Sequence, residues 1–313
     1  MAKPLQYNAT IVGRVDLTDA LSIFRIQPDR PPRKRPWFTA GQYCVLGLNN
    51  VETPALGSVR RPMSMASPPE ADGPIEFYIR RVARPESANP LTHLLWRLTS
   101  GARLYMRTVA AGVFTIGDTV GADDPRIRVM VAAGTGAAPF VSMVRSEVSR
   151  NPRADLSKWV LLHGASYPAD LGYRGEILGL SAANGLKYWG TVSRPGEAPG
   201  WTGDVGRVES FFESARLPDL ETRLGLPRGG FTPDSAAIYV CGLTGTISGT
   251  ILPLIDRGFI PDSGLIREAL GVPPEATGGI FWEQYDTEPV VNIADPTVVG
   301  PLRDRMQAAL SKR

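Results

Sequence analysis

The chain has 313 residues, of which 43% are apolar and 21% charged, and its formal net charge is +3. This composition is typical of a globular protein, and the length allows two domains of ordinary size. The positive charge is too small to indicate nucleic-acid binding, but it is compatible with an acidic protein partner.

Cysteines and histidines are scarce. Cys44 and Cys241 form no CxxC motif, and His93 and His163 are the only histidines. These counts argue against a disulfide framework, a thiolate cluster for zinc or iron–sulfur, and a histidine metal site, so we expect no metal. The first residues have no apolar signal core, and no window approaches the roughly 20 apolar residues of a membrane span. We therefore expect a cytoplasmic protein.

Residues 1–122 carry short β-rich segments separated by glycine and proline. This pattern predicts a small antiparallel β-barrel. One helix is predicted at 90–98, where four leucines share a face. The predicted strands are 9–15, 21–26, 43–48, 75–81 and 103–107.

From residue 126 the pattern changes to alternating strands and helices, which predicts a doubly wound α/β domain over 126–285. Residues 286–313 form a C-terminal extension with a helix after Asp295-Pro296, whose apolar stripe we expect to pack on the body of the protein. The predicted strands are 127–133, 158–163, 186–192 and 236–241, and the predicted helices are 138–150, 174–181, 206–215 and 246–257.

The most informative stretch is 129–140, VMVAAGTGAAPF. Apolar residues lead directly into Gly134, Thr135 and Gly136, and apolar residues at helical spacing follow. The pattern predicts a buried parallel strand, a tight turn and a helix N-terminus. The N–H groups and helix dipole at such a turn favour an anion, so a dinucleotide pyrophosphate is one interpretation. A purely structural turn is the other.

A second motif lies in the first predicted domain, where Arg61-Pro62-Met63-Ser64 is followed by Ser67. Here the chain resembles the ferredoxin–NADP reductase family, especially its bacterial branch, whose flavin motif is Arg-x-Tyr-Ser-x-x-Ser. The resemblance implies an FAD-binding barrel followed by an NADP-binding domain. Arg61 would pair with a phosphate, and Ser64 would exchange a hydrogen bond with flavin N5.

Met63 departs from the family pattern, which has a tyrosine there. A tyrosine ring would lie on the flavin and anchor it through the hydroxyl, whereas a thioether contact is worth at most roughly 1.5 kcal/mol. We expect flavin binding with altered stacking on this side. By resemblance, further FAD-binding residues are Tyr78, Ile79 and Arg80 on the second strand that lines the cofactor, and Leu91 and Thr92 at the helix that meets the pyrophosphate.

The resemblance continues in the second domain. Gly134 to Pro139 matches the family's Gly-Thr-Gly-x-Ala-Pro, and Cys241-Gly242 matches its Cys-Gly motif at a strand end. Carboxyl ends of strands are where open α/β sheets bind ligands. The resemblance implies that Cys241 lies beside the reacting nicotinamide carbon. A buried core cysteine is the alternative.

Glu283 and Tyr285 keep the spacing of the acid and the terminal tyrosine that end plant-type members of the family. By resemblance, Tyr285 would cover the flavin until nicotinamide displaces it, and Glu283 would tune charge and proton supply. Because the chain continues for 28 residues, Phe281 or Trp282 is an alternative stacking ring. The candidate catalytic residues are Ser64, Cys241 and Glu283.

The choice between NADP and NAD depends on a few positions. Ser193 and Arg194 match the family's Val-Ser-Arg, which binds the 2′-phosphate of NADP. Ser166 and Asp204 stand where the bacterial branch has arginines, and Arg207 is a candidate replacement. The loss of two charged hydrogen bonds would lower the preference for NADP by a factor of about 10² to 10⁴. We expect NADP(H), with NAD(H) or dual use as the alternative.

Three functions fit these observations. The favoured one is an FAD-dependent reductase that moves electrons between NADP(H) and ferredoxin or flavodoxin by hydride transfer at flavin N5. The second is a reductase component that serves an oxygenase or another redox partner, and the third is a non-catalytic nucleotide-binding subunit of the same fold. The basic run at 30–35 is a candidate docking site for an acidic ferredoxin, although a solvated loop near the FAD adenine is the favoured interpretation.

Overall fold

A computed structural model describes residues 3–30, 32 and 35–312. The chain divides into two compact units, Met1–Thr119 with Ala138–Ala154, and Val120–Ala137 with Asp155–Arg313. The predicted fold class is confirmed, because one unit contains a six-stranded antiparallel sheet and the other a six-stranded parallel sheet. The domain limits of 1–122, 126–285 and 286–313 stay a prediction.

The first unit is a barrel whose apolar side chains, such as Phe24 and Phe77, point inward and are fully buried. Leu91, Leu94 and Leu95 of its short first helix pack into the same core. Its elements are β1 (Ala9–Thr18), β2 (Leu21–Pro28), β3 (Tyr43–Asn49), β4 (Ser58–Ser64), β5 (Ile75–Arg80), α1 (Leu91–Trp96), β6 (Arg103–Met106) and α2 (Ile116–Thr119).

The barrel is closed by one β-bridge between its two edge strands. The strand order is β4-β3-β6-β1-β2-β5, so β4 and β5 are the two edges. Within residues 58–80, all of which the structure describes, these edges pair only through the bridge between Met65 and Phe77. The pattern of β4 does not predict a strand because Arg61 and Pro62 interrupt it, but proline is tolerated on an edge strand.

The helix that follows the glycine turn is α3 (Ala137–Arg150). Its Ser142 hydroxyl donates to the Ser67 carbonyl at 2.6 Å, and its Arg145 guanidinium pairs with Glu76 at 2.8 Å. Burial acts to raise the pKa of Glu76, but hydrogen bonds and ion pairs, with Arg145 first, outweigh it and lower that pKa. These contacts explain why residues 138–154 belong to the first unit.

The second unit has the all-parallel strand order β10-β9-β8-β7-β11-β12. Its inner strands are continuous apolar runs, as expected for a sheet that is covered on both faces. The strands are β7 (Ile127–Ala133), β8 (Trp159–Ala165), β9 (Lys187–Val192), β10 (Asp204–Val205), β11 (Ala236–Gly242) and β12 (Ile280–Gln284). The helices are α4 (Arg174–Asn184), α5 (Leu217–Leu224), α6 (Thr244–Leu254), α7 (Gly264–Ala269) and α8 (Pro296–Leu310).

The helix predicted at 206–215 is wrong. Val208, Phe211 and Phe212 are buried, but they lie in a short 3-10 turn at Val208–Phe212. The α-helix begins later, at Leu217, with Pro218 in its first turn. A proline is tolerated there because the first N–H groups of a helix have no intrahelical partner.

The C-terminal segment forms α8, whose N-cap is Asp295, with the side chain accepting from Thr297 N at 2.9 Å. Leu302 and Met306 of its apolar stripe are buried in the core of the second unit, and Leu310 packs against that core. Among the residues that the structure describes, no helix has the length and apolar character needed to cross a membrane.

Candidate functional site: the switch point of the parallel sheet

The strand order reverses between β7 and β11. In the chain, β8, β9 and β10 follow on one side of β7, whereas β11 and β12 lie on its other side. The carboxyl ends of strands at such a switch point form the crevice where open α/β sheets bind ligands. The predicted nicotinamide motifs, residues 134–136 and 241–242, both lie at this edge.

The glycine turn packs directly on the end of β11. A Cβ on Gly136 would lie 2.1 Å from the Cys241 carbonyl oxygen, so only glycine fits there. Gly134 has φ +54°, a left-handed conformation that favours glycine. The turn, with Thr135 at its centre, is a single 3-10 turn that leads into the 14-residue helix α3. Both glycines therefore have a backbone requirement in addition to any role in anion binding.

His163, which the sequence did not single out, supports the turn. Its Nε2 lies 3.1 Å from the Gly134 carbonyl oxygen, and burial lowers its pKa to about 4. The ring is therefore neutral near pH 7, and Nε2 must carry the proton because a carbonyl only accepts. The other nitrogen, Nδ1, is buried without a hydrogen-bond partner among the described residues.

Cys241 and Glu283 lie side by side on the adjacent strands β11 and β12. The Cys241 Sγ is 3.9 Å from Glu283 Oε2, and Cys241 is fully buried. Burial raises the pKa of the Cys241 thiol well above its usual value, and the Glu283 carboxylate raises it further, while a hydrogen bond with Tyr285 opposes the shift. The thiol therefore stays protonated, which excludes a thiolate nucleophile at neutral pH.

The end of β12 is fixed by contacts that the sequence did not indicate. Tyr285 N donates to the Gly242 carbonyl at 3.0 Å. The next residue, Asp286, accepts from Thr244 N at 3.0 Å and from its hydroxyl at 2.6 Å, and Gln284 Nε2 donates to Asp286 at 2.7 Å. Asp286 thus fixes the path of the chain immediately after Tyr285 by binding the N-terminus of α6. Tyr285 itself is 42% exposed.

The predicted flavin residues lie along the two edges of the barrel. On β4, Arg61 and Pro62 are exposed, Met63 is half-buried and Ser64 is buried. Continuing the antiparallel register from the Met65–Phe77 bridge sets Ser64 opposite Tyr78, and Met63 opposite Ile79. The remaining residues on β5 follow the same order, with Tyr78 and Ile79 buried and Arg80 half-buried.

Three other predicted flavin residues have contacts within the barrel unit. The Ser67 hydroxyl accepts from Glu76 N at 2.8 Å, and the Thr92 hydroxyl accepts from Val82 N at 3.3 Å. Leu91 is buried in the barrel core. The contacts of Ser67 and Leu91 therefore support the fold directly, whereas Arg61 is exposed and its guanidinium donates to the Arg60 carbonyl at 2.9 Å.

The predicted 2′-phosphate residues follow β8 and β9, two strands from the switch point. Ser193 N donates to the Ala165 carbonyl at 3.0 Å, and Arg194 N to the Ser166 carbonyl at 3.2 Å. Ser193, Arg194 and Arg207 are exposed. The structure therefore brings Ser166, Ser193 and Arg194 together at one edge of the sheet.

Asp204 has its charge compensated inside the protein. It pairs with Arg223 at 2.7 Å and with Arg216 at 3.4 Å. Arg207 is the candidate substitute for the arginine that the bacterial branch has at position 204. Its side chain is 76% exposed and lies 3.7 Å from Glu209. The sequence could not show that Asp204 already has two cations as partners.

These features define a nicotinamide-dinucleotide oxidoreductase domain, and the comparisons with known proteins agree. Residues 130–250 match the family model for the oxidoreductase NAD-binding domain. Ferredoxin–NADP reductase B of Sorangium cellulosum is 31% identical over 260 residues, which cover 82% of this chain and 89% of that protein. The chain belongs to the ferredoxin–NADP reductase family.

Two further similarities are to a solved structure and to a reductase component. A ferredoxin NADP+ reductase from Neisseria gonorrhoeae, solved with bound FAD and NADP, has a TM-score of 0.67 at 22% identity and covers 88% of this chain and 97% of its own. Reductase component 1 of terephthalate 1,2-dioxygenase from Comamonas sp is 26% identical, covering 82% of this chain and 66% of that protein.

The packing of the glycine turn on β11 generates a stability prediction. In Gly136→Ala, the new methyl group meets backbone atoms of Cys241 that cannot rotate away, so we expect a loss of roughly 2 kcal/mol or more in the free energy of unfolding. Gly179→Ala in α4 is the matched control, because nothing lies within 4 Å of the position that its Cβ would take. Urea denaturation that leaves Gly136→Ala as stable as the control would contradict this packing.

The buried imidazole generates a pH prediction. The pKa of His163 is about 4 in the fold against 6.5 in the unfolded chain, so neutral His163 stabilises the fold fully above pH 6.5. This contribution falls by roughly 3 kcal/mol as the pH drops to 4. Only the wild type loses this contribution, because Gln does not titrate. The difference in the free energy of unfolding between wild type and His163→Gln should therefore shrink as the pH falls from 6.5 to 4.

The same titration is visible by NMR. The ring resonances of His163 should not shift until the pH approaches 4, and a His93→Gln variant identifies them because the chain has no other histidine. Parallel pH curves for wild type and His163→Gln, together with a ring that titrates near 6.5, would show that His163 is not a buried neutral group.

Proposed function

We propose that this protein uses FAD to transfer electrons between NADP(H) and a small one-electron carrier, ferredoxin or flavodoxin. One observation carries the proposal: the glycine turn, Cys241 and Glu283 meet at the switch point of the parallel sheet. Membership of the ferredoxin–NADP reductase family supports the same conclusion.

The seam between β4 and β5 fits a flavin dinucleotide. The two edge strands share one bridge at Met65–Phe77 and carry a hydroxyl, a thioether and a guanidinium in the order Ser64, Met63 and Arg61. Arg61 would hold the pyrophosphate by charged hydrogen bonds, and Ser64 would donate to or accept from the flavin ring. Met63 would contact the ring through sulfur.

FAD held by Arg61 and Ser64 would supply a hydride acceptor at N5 and a donor of single electrons to the carrier. The residues of the switch point orient the nicotinamide for that step. Cys241 contributes a small, protonated side chain that can lie against the ring without reacting with it. Glu283, beside it, contributes a carboxylate that favours the positive charge of the oxidised nicotinamide.

Tyr285 lies against Cys241 at this position. Its side chain hydrogen-bonds with Cys241, and its exposed fraction is 42%. For a nicotinamide ring to contact Cys241, Tyr285 must turn away while its backbone stays bound to Gly242. We infer that the ring of Tyr285 is the gate and that Phe281, which is buried against Tyr239, is not.

The nature of the carrier is the finer part of the proposal. The net charge of +3 supports an acidic carrier. Residues 31, 33 and 34 of the basic run lie outside the described residues, and Arg35 is 3.6 Å from Asp72. The two cysteines are buried and free, which fits a reducing compartment such as the cytoplasm.

A second candidate is a reductase component that serves an oxygenase. The similarity to the terephthalate 1,2-dioxygenase reductase component favours it. The two candidates share every step up to the reduction of the flavin and differ in the protein that receives the electrons.

The proposal predicts a yellow protein that NADPH bleaches. The full-length chain, reconstituted with FAD, should show a flavin spectrum that NADPH removes without oxygen. Cys241→Ala should bind FAD normally and slow this reduction roughly 10²-fold in stopped-flow measurements, because the nicotinamide loses its positioned contact. Cys44→Ala is the control, since Cys44 is the other buried cysteine and lies in the barrel core.

The outcomes separate the candidates. The reduced protein should pass its electrons to ferredoxin or flavodoxin, and transfer to an oxygenase component alone would favour the second candidate. A chain that takes up no FAD would contradict both proposed enzyme functions. A bound flavin that neither NADPH nor NADH bleaches would indicate the non-catalytic subunit instead.

A further inference from the structure

The cation expected to bind the 2′-phosphate has a carboxylate close by. Arg194 Nη1 donates to the Tyr167 hydroxyl at 2.9 Å, and that hydroxyl donates to Glu197 Oε2 at 2.7 Å. The guanidinium carbon also lies 5.6 Å from the centre of the Tyr167 ring. We call Tyr167, Arg194 and Glu197 the Arg194 cluster.

The cluster lies at the carboxyl edge of the parallel sheet, the edge at which dinucleotide-binding folds contact the ribose. Tyr167 follows β8, and Arg194 and Glu197 follow the adjacent parallel strand β9, so all three are at the carboxyl edge of the sheet. Backbone hydrogen bonds continue past the strands, from Ser193 N to Ala165 and from Arg194 N to Ser166. The backbone from which the Arg194 side chain projects is therefore held beside the segment that follows β8.

Glu197 changes what Arg194 offers to a ligand. A 2′-phosphate that approaches the guanidinium meets the negative charge of Glu197 across one hydroxyl group, and like charges at this distance repel. A ribose 2′-hydroxyl brings no charge and can donate to a carboxylate, which is how an acidic residue selects NAD in dinucleotide-binding folds. One cluster thus presents a cation for NADP and a carboxylate for NAD.

The other charges near the cluster do not cancel this effect. Asp204 is paired with Arg223 and Arg216, and Arg207 lies near Glu209. Ser166, where the bacterial branch of the family has an arginine, adds no charge. Within the cluster, Glu197 is the anion that accepts from the Tyr167 hydroxyl, one hydrogen bond away from Arg194.

We propose that Glu197, acting on Arg194 through the Tyr167 hydroxyl, is a specificity-determining residue that lowers the preference of this enzyme for NADP(H) and admits NAD(H). The inference rests on the proposed function, because it concerns the nicotinamide dinucleotide of the same site.

The test compares Glu197→Gln with wild type in two measurements. Gln keeps a hydrogen bond to Tyr167 but removes the charge, so the ratio of kcat/KM for NADPH to that for NADH should rise roughly tenfold with ferricyanide as acceptor. Calorimetry should show tighter binding of 2′,5′-ADP to the FAD-loaded chain by a similar factor, whereas 5′-AMP, which can donate its 2′-hydroxyl to the carboxylate, should bind no more tightly than to wild type. Both gains should shrink in 0.5 M salt, because the cluster is exposed and its field is screened.

Glu268→Gln is the matched control. It makes the same charge change on the exposed surface of α7, which is near β12 at the opposite end of the sheet order from β9. It should leave both ratios within twofold of wild type.

The two measurements distinguish failure of this inference from failure of the proposed function. If wild type binds 2′,5′-ADP and 5′-AMP but Glu197→Gln changes their ratio by less than twofold, or changes it no more than Glu268→Gln does, the role of Glu197 is overturned. If wild type binds neither nucleotide, the proposed function and this inference both fall.

Discussion

The close contact between Gly136 and the end of β11 is the constraint on which the rest of the nucleotide domain depends. Because there is no room for a Cβ at Gly136, the turn after β7 lies directly on the backbone of Cys241. The same strand end pairs with β12, which carries Glu283 beside Cys241. The Gly136 contact and the pairing of β11 with β12 together bring the glycine turn, Cys241 and Glu283 to one edge of the sheet.

Polar contacts from β8 and from the segment after β12 hold this edge in place. His163 supports the turn from β8 through the Gly134 carbonyl. On the other side, Asp286 binds the first residue of α6 and fixes the path of the chain after Tyr285. The surroundings of Cys241 keep its thiol protonated, so the site is suited to orienting a ring and not to covalent chemistry.

The sequence predicted the parts of the fold that depend on local pattern. The buried strand of 127–133 and the helix after the glycine turn have the expected bounds within a residue, because continuous apolar runs and helical spacing are local signals. The edge strand β4 and the helix α5 were missed, since prolines stand in both and are tolerated only for reasons of position in the sheet or in the helix.

The site itself was only partly visible in the sequence. The residue pattern indicated the glycine turn, and the family resemblance indicated Cys241 and Glu283. The support from His163 and Asp286 comes from tertiary contacts that neither of these reveals. The pairing of charged side chains within the protein was the property that the sequence indicated least. Arg194 and Asp204 look in the sequence like a cation and an anion offered to a ligand, yet each already has a partner of its own in the fold.

The most direct test is a crystal structure of the FAD-loaded chain with a tetrahydro analogue of NADPH, which binds but cannot donate hydride. We predict that the Tyr285 ring has turned away and that the nicotinamide C4 lies within ~4 Å of Cys241 Sγ, at van der Waals contact. An ordered nicotinamide bound elsewhere, with Tyr285 still covering Cys241, would contradict the assignment of this site.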